Sequence, residues 1–321
     1  ALDYDDTLEG HPGAPIIAAV LAFGGAKGLP LDRILRGIVA GYEAHAVLSS
    51  AASPSRSRAA QVRSIGVFDT VAASIGALVA LDADDETIRR SIGVAVPHSI
   101  LPYIAKWYER PVPAMKNNMG WIGAGAVLSV NLVIEGQTGV TGALEGDTGM
   151  WRMAGSDQWS IEESMSRKPA VLRTGFKHYP SCWHTQRHLC VLAGLMARLA
   201  PGEEISRIVI TGPGDLEKFC DRKPLNAADI AFSFPALFDR LMAGIDPGPR
   251  WEDLDVSAIP YEFVFERSAE RTLSIHTRGG RMLNAIVPVD DYTDLSSAGL
   301  DEDGVLAKFR RLTEPSLRAE V

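Results

Sequence analysis

Residues 14–26 (APIIAAVLAFGGA) carry apolar side chains on nearly every side of a helical turn, predicting a helix at the centre of a bundle. Gly28-Leu29-Pro30 ends that run, and Asp32 is placed to cap a second helix reaching about Tyr42. Residues 66–80 repeat the Ala/Gly-rich apolar pattern, and Asp84 or Asp85 then caps a short helix over ETIRRSIGVAV. From Lys116 to Glu135 a fourth strong helix is predicted, stopped by Gly136. Its Gly120, Gly123 and Ala124 would let neighbouring backbones approach closely. EGQTG and EGDTG read as turns, and no strand pattern occurs before about residue 150.

The second half changes character. After a polar stretch around 155–170, residues 182–199 predict a helix. Residues 204–212 (EISRIVITG) alternate and are β-branched, as a strand requires. Asp229 to Met242 reads as one helix. YEFVFER, RTLSIHT and RMLNAIVPV read as strands, the last two joined by a turn at Arg278-Gly279-Gly280. Residues 303–311 predict a short closing helix. The expected fold is α plus α+β, with an all-helical domain over 1–170 to which 303–321 returns, and a smaller α+β domain over 171–302.

Composition narrows the class. The 321 residues are 46% hydrophobic and 22% charged, the balance of a globular chain. With 32 Lys+Arg against 40 Asp+Glu the net charge is -8 and neither half is basic, which argues against nucleic acid or an anionic membrane surface as partner. The longest apolar run, Gly13 to Ala26, falls short of the ~20 residues that span a bilayer. Three cysteines are too few for a disulfide framework, so a reducing, cytoplasmic setting is expected. The acidic N-terminus has neither the basic region of a signal peptide nor an initiating Met, and reads as a chain beginning mid-domain.

Three constellations carry chemistry. Asp3, Asp5 and Asp6, followed by His11-Pro12, fit either a solvated acidic cap or an acid/base or metal site, since Asp is a hard oxygen ligand and His titrates near neutrality. Lys116 opens an apolar helix, where an ammonium beside free N–H groups suits an anion; a lysine snorkelling from a helix end is the alternative. Lys177-His178-Tyr179-Pro180 leads into Cys182-Trp183-His184-Thr185-Gln186-Arg187-His188. His184 and His188 stand at i, i+4 but lack the Glu of a zinc-protease helix, so a core or surface pair of histidines is the stronger expectation than a metal site. The density of cations at Lys177, His178 and Arg187 suggests a local anion site.

Taken in order, these segments resemble the MmgE/PrpD family, which includes 2-methylcitrate dehydratase, cis-aconitate decarboxylase and iminodisuccinate epimerase. LDYDDTLEGHPGAP is similar to the family's DxDD…HP segment, and GALVALDADDE to its LLGLD helix end. The Lys116 helix with its glycine turns, the run from Lys177 to Gln186, and ADIAFSFPALFDRLMAG complete the likeness.

The resemblance implies a large helical domain and an α+β lid with the active site in the cleft between them, usually in a homodimer, with no metal or organic cofactor. It implies catalytic roles for Asp3, His11, Lys116, Lys177 and His184, and substrate contacts at Gln61, Tyr179, Gln186 and Ser233. The implied substrate is a small di- or tricarboxylate, and the activity a dehydratase-like lyase or an isomerase working by proton abstraction α to a carboxylate. Decarboxylation and epimerisation would reuse the same groups. Gln61 stands near the place of a family histidine, and Ala236 where an aromatic often follows; a non-catalytic binding or scaffolding homologue is the alternative these departures raise. A metallo-hydrolase using Asp3, Asp5, Asp6 and His11 is a lesser one. Helices that precede the acidic segment in the family have no counterpart here, which would leave apolar faces of 14–26 and 116–135 exposed.

Overall fold

The computed structural model describes residues 3–4, 10–59, 62, 66–99, 110–112, 119–161, 169–221, 223–288 and 302–317. The chain divides into two compact units. The first comprises 1–107 and 115–175, the second 108–114 and 176–321.

In the first unit the long helices are α1 (Gly13–Ala26), α2 (Leu31–Ala51), α3 (Asp69–Ala80), α4 (Asp85–Ala95) and α5 (Met119–Ile134). Asp84 caps α4 as the sequence predicts, accepting from the Thr87 N–H at 2.7 Å. α2 runs nine residues past its expected end at Tyr42. Nothing after Tyr42 breaks it, and Ala46, Leu48 and Ala51 keep its buried face apolar. Asp32 lies in its first turn, Pro30 taking the cap position. A two-residue strand at Asp3–Tyr4 corrects the expectation of no strand before residue 150; it is too short to show an alternation.

Ile16, Val20 and Phe23 of α1 meet Ile34, Tyr42 and Ala46 of α2, Ala73, Ala77 and Leu78 of α3, and Val130 of α5 in one core. The closest helix contact is α2 on α3. A Cβ on Gly37 would lie 2.4 Å from the Gly76 carbonyl oxygen, and one on Gly76 would lie 2.6 Å from that of Gly37. Only hydrogen atoms fit there. The expected contact at Gly120 is absent, for that residue faces open space, whereas Gly123 does sit against α1, 3.5 Å from the Pro15 carbonyl oxygen on the same measure. Nor is α1 buried all round. Ile17 and Leu21 are exposed, as are Trp121 and Leu128 of α5.

In the second unit the helices are α6 (Trp183–Met196), α7 (Phe234–Met242) and α8 (Glu302–Leu317), and the strands β1 (Ile205–Gly212), β2 (Glu262–Arg267), β3 (Thr272–Thr277) and β4 (Met282–Ile286). The sheet order is β2-β1-β3-β4, with β1 parallel to β2 and the other pairs antiparallel. Ile208 pairs with Ile275, Ile210 with Leu273 and Ile275 with Leu283, so one face of the sheet is apolar and buried. Gly280, with φ at 84°, closes the predicted β3–β4 turn.

The helix expected over 229–242 is broken. Ala227–Ile230 forms one turn, and α7 starts afresh where Ser233 accepts from the Ala236 N–H and Pro235 occupies the first turn.

The division falls at 175 rather than 170, and two segments group differently from the expected division. The strap 110–112 belongs to the second unit because Arg110 donates to the carbonyls of Asp229 and Phe232 at 3.0 and 2.9 Å. Asp229 in turn accepts from the Val112 N–H at 2.5 Å. Burial raises the Asp229 pKa, but the Val112 and Leu225 N–H groups and the Arg110 charge outweigh it and hold the carboxyl below its ordinary value. Helix α8, expected to return to the first unit, groups with the second, where Lys308 hydrogen-bonds the Lys177 carbonyl.

The Gly37–Gly76 contact makes a direct prediction. Gly37→Ala adds helix propensity but drives a methyl into backbone, so the variant should lose about 1–3 kcal/mol, read from urea unfolding. A variant as stable as the parent would contradict the packing described.

Candidate functional site

His11 lies half-buried immediately before α1, where Pro12 takes the cap position and its carbonyl accepts from the Ile16 N–H at 3.0 Å. Beside it, Gly10 is buried and packs against the imidazole of His45. His45 Nδ1 lies 2.6 Å from Asp69 Oδ1; His45 is 1% exposed and Asp69 0%. Neither residue carried a sequence signal. They stand 24 positions apart on α2 and α3, and only the packing of those helices joins them. Of the other expected groups in this unit, Asp3 is placed as backbone in a short strand, while its side chain and all of Gln61 and Lys116 lie outside the described residues.

In the second unit Lys177, Tyr179, His184 and Gln186 fall on one loop and the start of α6, and Ser233 lies at the start of α7. Lys177 is only 7% exposed. The loop after it is locked by Gln186, itself wholly buried. Its Oε1 accepts from the His178 and Tyr179 N–H groups, both at 3.1 Å. Its Nε2 donates to the Tyr179 carbonyl at 2.9 Å and to Ser181 Oγ at 2.7 Å. These four bonds use the full capacity of the amide. The Cys182 N–H then donates to the Ala231 carbonyl at 2.8 Å, tying the loop to the chain just before α7. Ser233, also buried, caps α7 and donates to the Asp221 carbonyl.

The aromatic and imidazole groups divide between core and surface. Tyr179 stacks on Trp251 with centroids 5.3 Å apart, and burial pushes its phenol up to about 12, so it stays neutral. His184, on the first turn of α6, is half-buried with its ring 5.6 Å from that of Phe219. One turn on, His188 is 1% exposed against Phe234 at 4.7 Å. Burial first, then the Arg271 charge, lowers its pKa to about 3. It is a neutral core imidazole.

Lys308 completes the surroundings of Lys177. It is half-buried on α8 and donates from Nζ to the Lys177 carbonyl. Burial, then the charges of Arg311 and Lys177, lowers its pKa to about 8. The arrangement gathers positive charge in a partly buried place, and the sequence pattern gave no hint that α8 contributes to it. Among the described residues, no group of three or more His, Cys, Asp or Glu side chains is placed to hold a metal ion. None of the described helices is long and apolar enough to cross a membrane.

The profile of the MmgE/PrpD N-terminal domain matches residues 1–162, just over half of the chain. The chain belongs to the MmgE/PrpD family. The family is one of dehydratase-like enzymes, in general lyases, and the matched stretch contains Asp3, His11, Gln61 and Lys116. A search of curated proteins finds no match to the chain.

The depressed pKa of Lys308 sets a pH dependence for this MmgE/PrpD chain. Unfolded, the amine keeps its proton to about 10.5; folded, it begins to release it near 8. Between those values the unfolded chain binds more protons, so the contribution of Lys308 to stability rises with pH. The melting temperature of the protein relative to its Lys308→Met variant should therefore climb between pH 8 and 10 in scanning calorimetry. A flat or falling difference would contradict the assignment.

Proposed function

We propose that this MmgE/PrpD protein is a cofactor-independent dehydratase acting on a small di- or tricarboxylate by removing a proton α to a carboxylate. The observation that carries the reading is Lys177, a cationic side chain only 7% exposed at the head of a loop whose backbone Gln186 holds in one conformation. The family match over 1–162 supports it from the other half of the chain.

In this reading Lys116 and Lys177 bind substrate carboxylates through charge-assisted hydrogen bonds and offset the charge that grows as the α-proton leaves. His11 takes that proton, with Asp3 as its orienting partner. The electron pair of the broken C–H bond forms the new double bond, and the β-hydroxyl departs as water with a proton from His184. The reaction as written draws on no metal or organic cofactor. Gln61 and Tyr179 contact substrate. Gln186 and Ser233, whose polar atoms are engaged with the chain, act as positioning residues rather than ligands. Decarboxylation or epimerisation of a related substrate would use the same proton-transfer and anion-binding groups, and product analysis separates them.

His11→Asn, Lys116→Met and Lys177→Met should each lower kcat/KM by about 10²-fold or more while the far-UV spectrum stays unchanged. The assay is NMR of citrate, 2-methylcitrate, aconitate and iminodisuccinate with the purified protein. Turnover that survives all three substitutions would overturn the assignment. Binding of these acids without any product would favour the non-catalytic reading instead.

A further inference from the structure

The His45–Asp69 pair has no part in the chemistry just described, yet it is the most deeply buried pair of titratable groups hydrogen-bonded to each other among the described residues. A buried pair of this kind is a poor way to stabilise a helix contact, because removing two polar groups from water offsets most of their attraction. α2 and α3 have an apolar core and the Gly37–Gly76 contact for that purpose. What distinguishes the pair is its position. One edge of the His45 ring lies so close to Gly10 that a Cβ there would stand 2.8 Å from Cε1 and 2.9 Å from Nε2. Gly10 is bonded directly to His11. At the other end, Asp69 Oδ2 has no hydrogen-bond partner among the described residues and lies 3.4 Å from where a Cβ on Gly66 would be.

We propose that His45 and Asp69 form a positioning pair for His11: the carboxylate fixes the imidazole of His45, and the edge of that imidazole fixes the Gly10–His11 backbone at the start of α1. The proposal rests on the reading of His11 as the proton-transfer residue. The 2.6 Å contact to Asp69 sets which ring nitrogen of His45 carries the proton and removes the freedom of the ring to turn. Since no side chain fits at Gly10, the backbone lies directly on that ring edge, and any rotation of His45 moves the peptide that carries His11. At 1% exposure His45 does not reach a substrate itself. A displacement of about 1 Å in a reacting group costs roughly 10²-fold in rate, so the support matters to catalysis far more than to stability.

The test uses the full chain with Asp69→Asn, which keeps the shape of the side chain and removes its charge, and with Gly10→Ala, which presses on the same contact from the other side. Two readouts are taken. The first is the NMR titration of the His11 ring without substrate, its resonance identified by its loss in His11→Asn. Asp69 stands behind this turn through the ring of His45, so replacing its carboxylate by a neutral amide should move the His11 midpoint to lower pH. The second is the kinetic split: kcat should fall at least about tenfold in both variants with KM within about twofold. An unmoved His11 titration together with an unchanged kcat in either folded variant would overturn the proposal. Should Asp69→Asn fail to fold, Gly10→Ala decides alone. Because the titration needs no turnover, it still decides where His11→Asn leaves activity intact, a result that would count against the functional reading only.

Discussion

A carboxylate leaves water for a protein only where cations wait for it in fixed positions, and a lysine side chain is fixed no better than the backbone that carries it. In the second unit that backbone is held by a single amide. Gln186 takes up the His178 and Tyr179 N–H groups, the Tyr179 carbonyl and the Ser181 hydroxyl, so the backbone just after Lys177 is held at several points by one side chain. Lys308 adds a further bond at the Lys177 carbonyl, and its depressed pKa records the electrostatic cost of gathering positive charge in a partly dry place. The sheet and α6 supply the rigid bed on which this loop lies.

The first unit solves a related problem with other means. Its helices are built from small residues, and α2 meets α3 with glycine on glycine, which brings polar groups from separate helices within reach of each other in the core. The 2.6 Å contact of His45 with Asp69 depends on that closeness. Thus the apolar pattern that makes the bundle also creates the conditions under which a buried polar pair can lie beneath the turn that carries His11.

Much of this was legible in the sequence. The four strands fall within a residue or two of the alternating runs that predict them, except that β4 ends three residues before its run, because alternation of inward and outward side chains is a local property. α1, α4 and α5 were equally plain, and the acidic segment with His11 carried the family likeness that the match over 1–162 bears out. What stayed hidden depends on residues far apart. The extension of α2 to Ala51 serves contacts with α3, and the break before α7 needs the Ser233 cap to win over a continuous helical period. His45 with Asp69, and Lys308 with Lys177, are separated by 24 and 131 positions, and no spacing rule links residues across such distances. Gln186 is instructive in another way. It stood out as a polar residue in a motif, and its geometry shows that such a residue can act by holding the chain.

The central claim is that the protein labilises a hydrogen α to a carboxylate. Incubating the protein in D2O with a panel of C4–C7 polycarboxylates and following the α-protons by NMR tests it without assuming which product forms. The account predicts protein-dependent loss of the α-proton signal, by elimination or by exchange for solvent deuterium, for at least one di- or tricarboxylate. Full retention of every α-proton across a panel whose members bind the protein would contradict it.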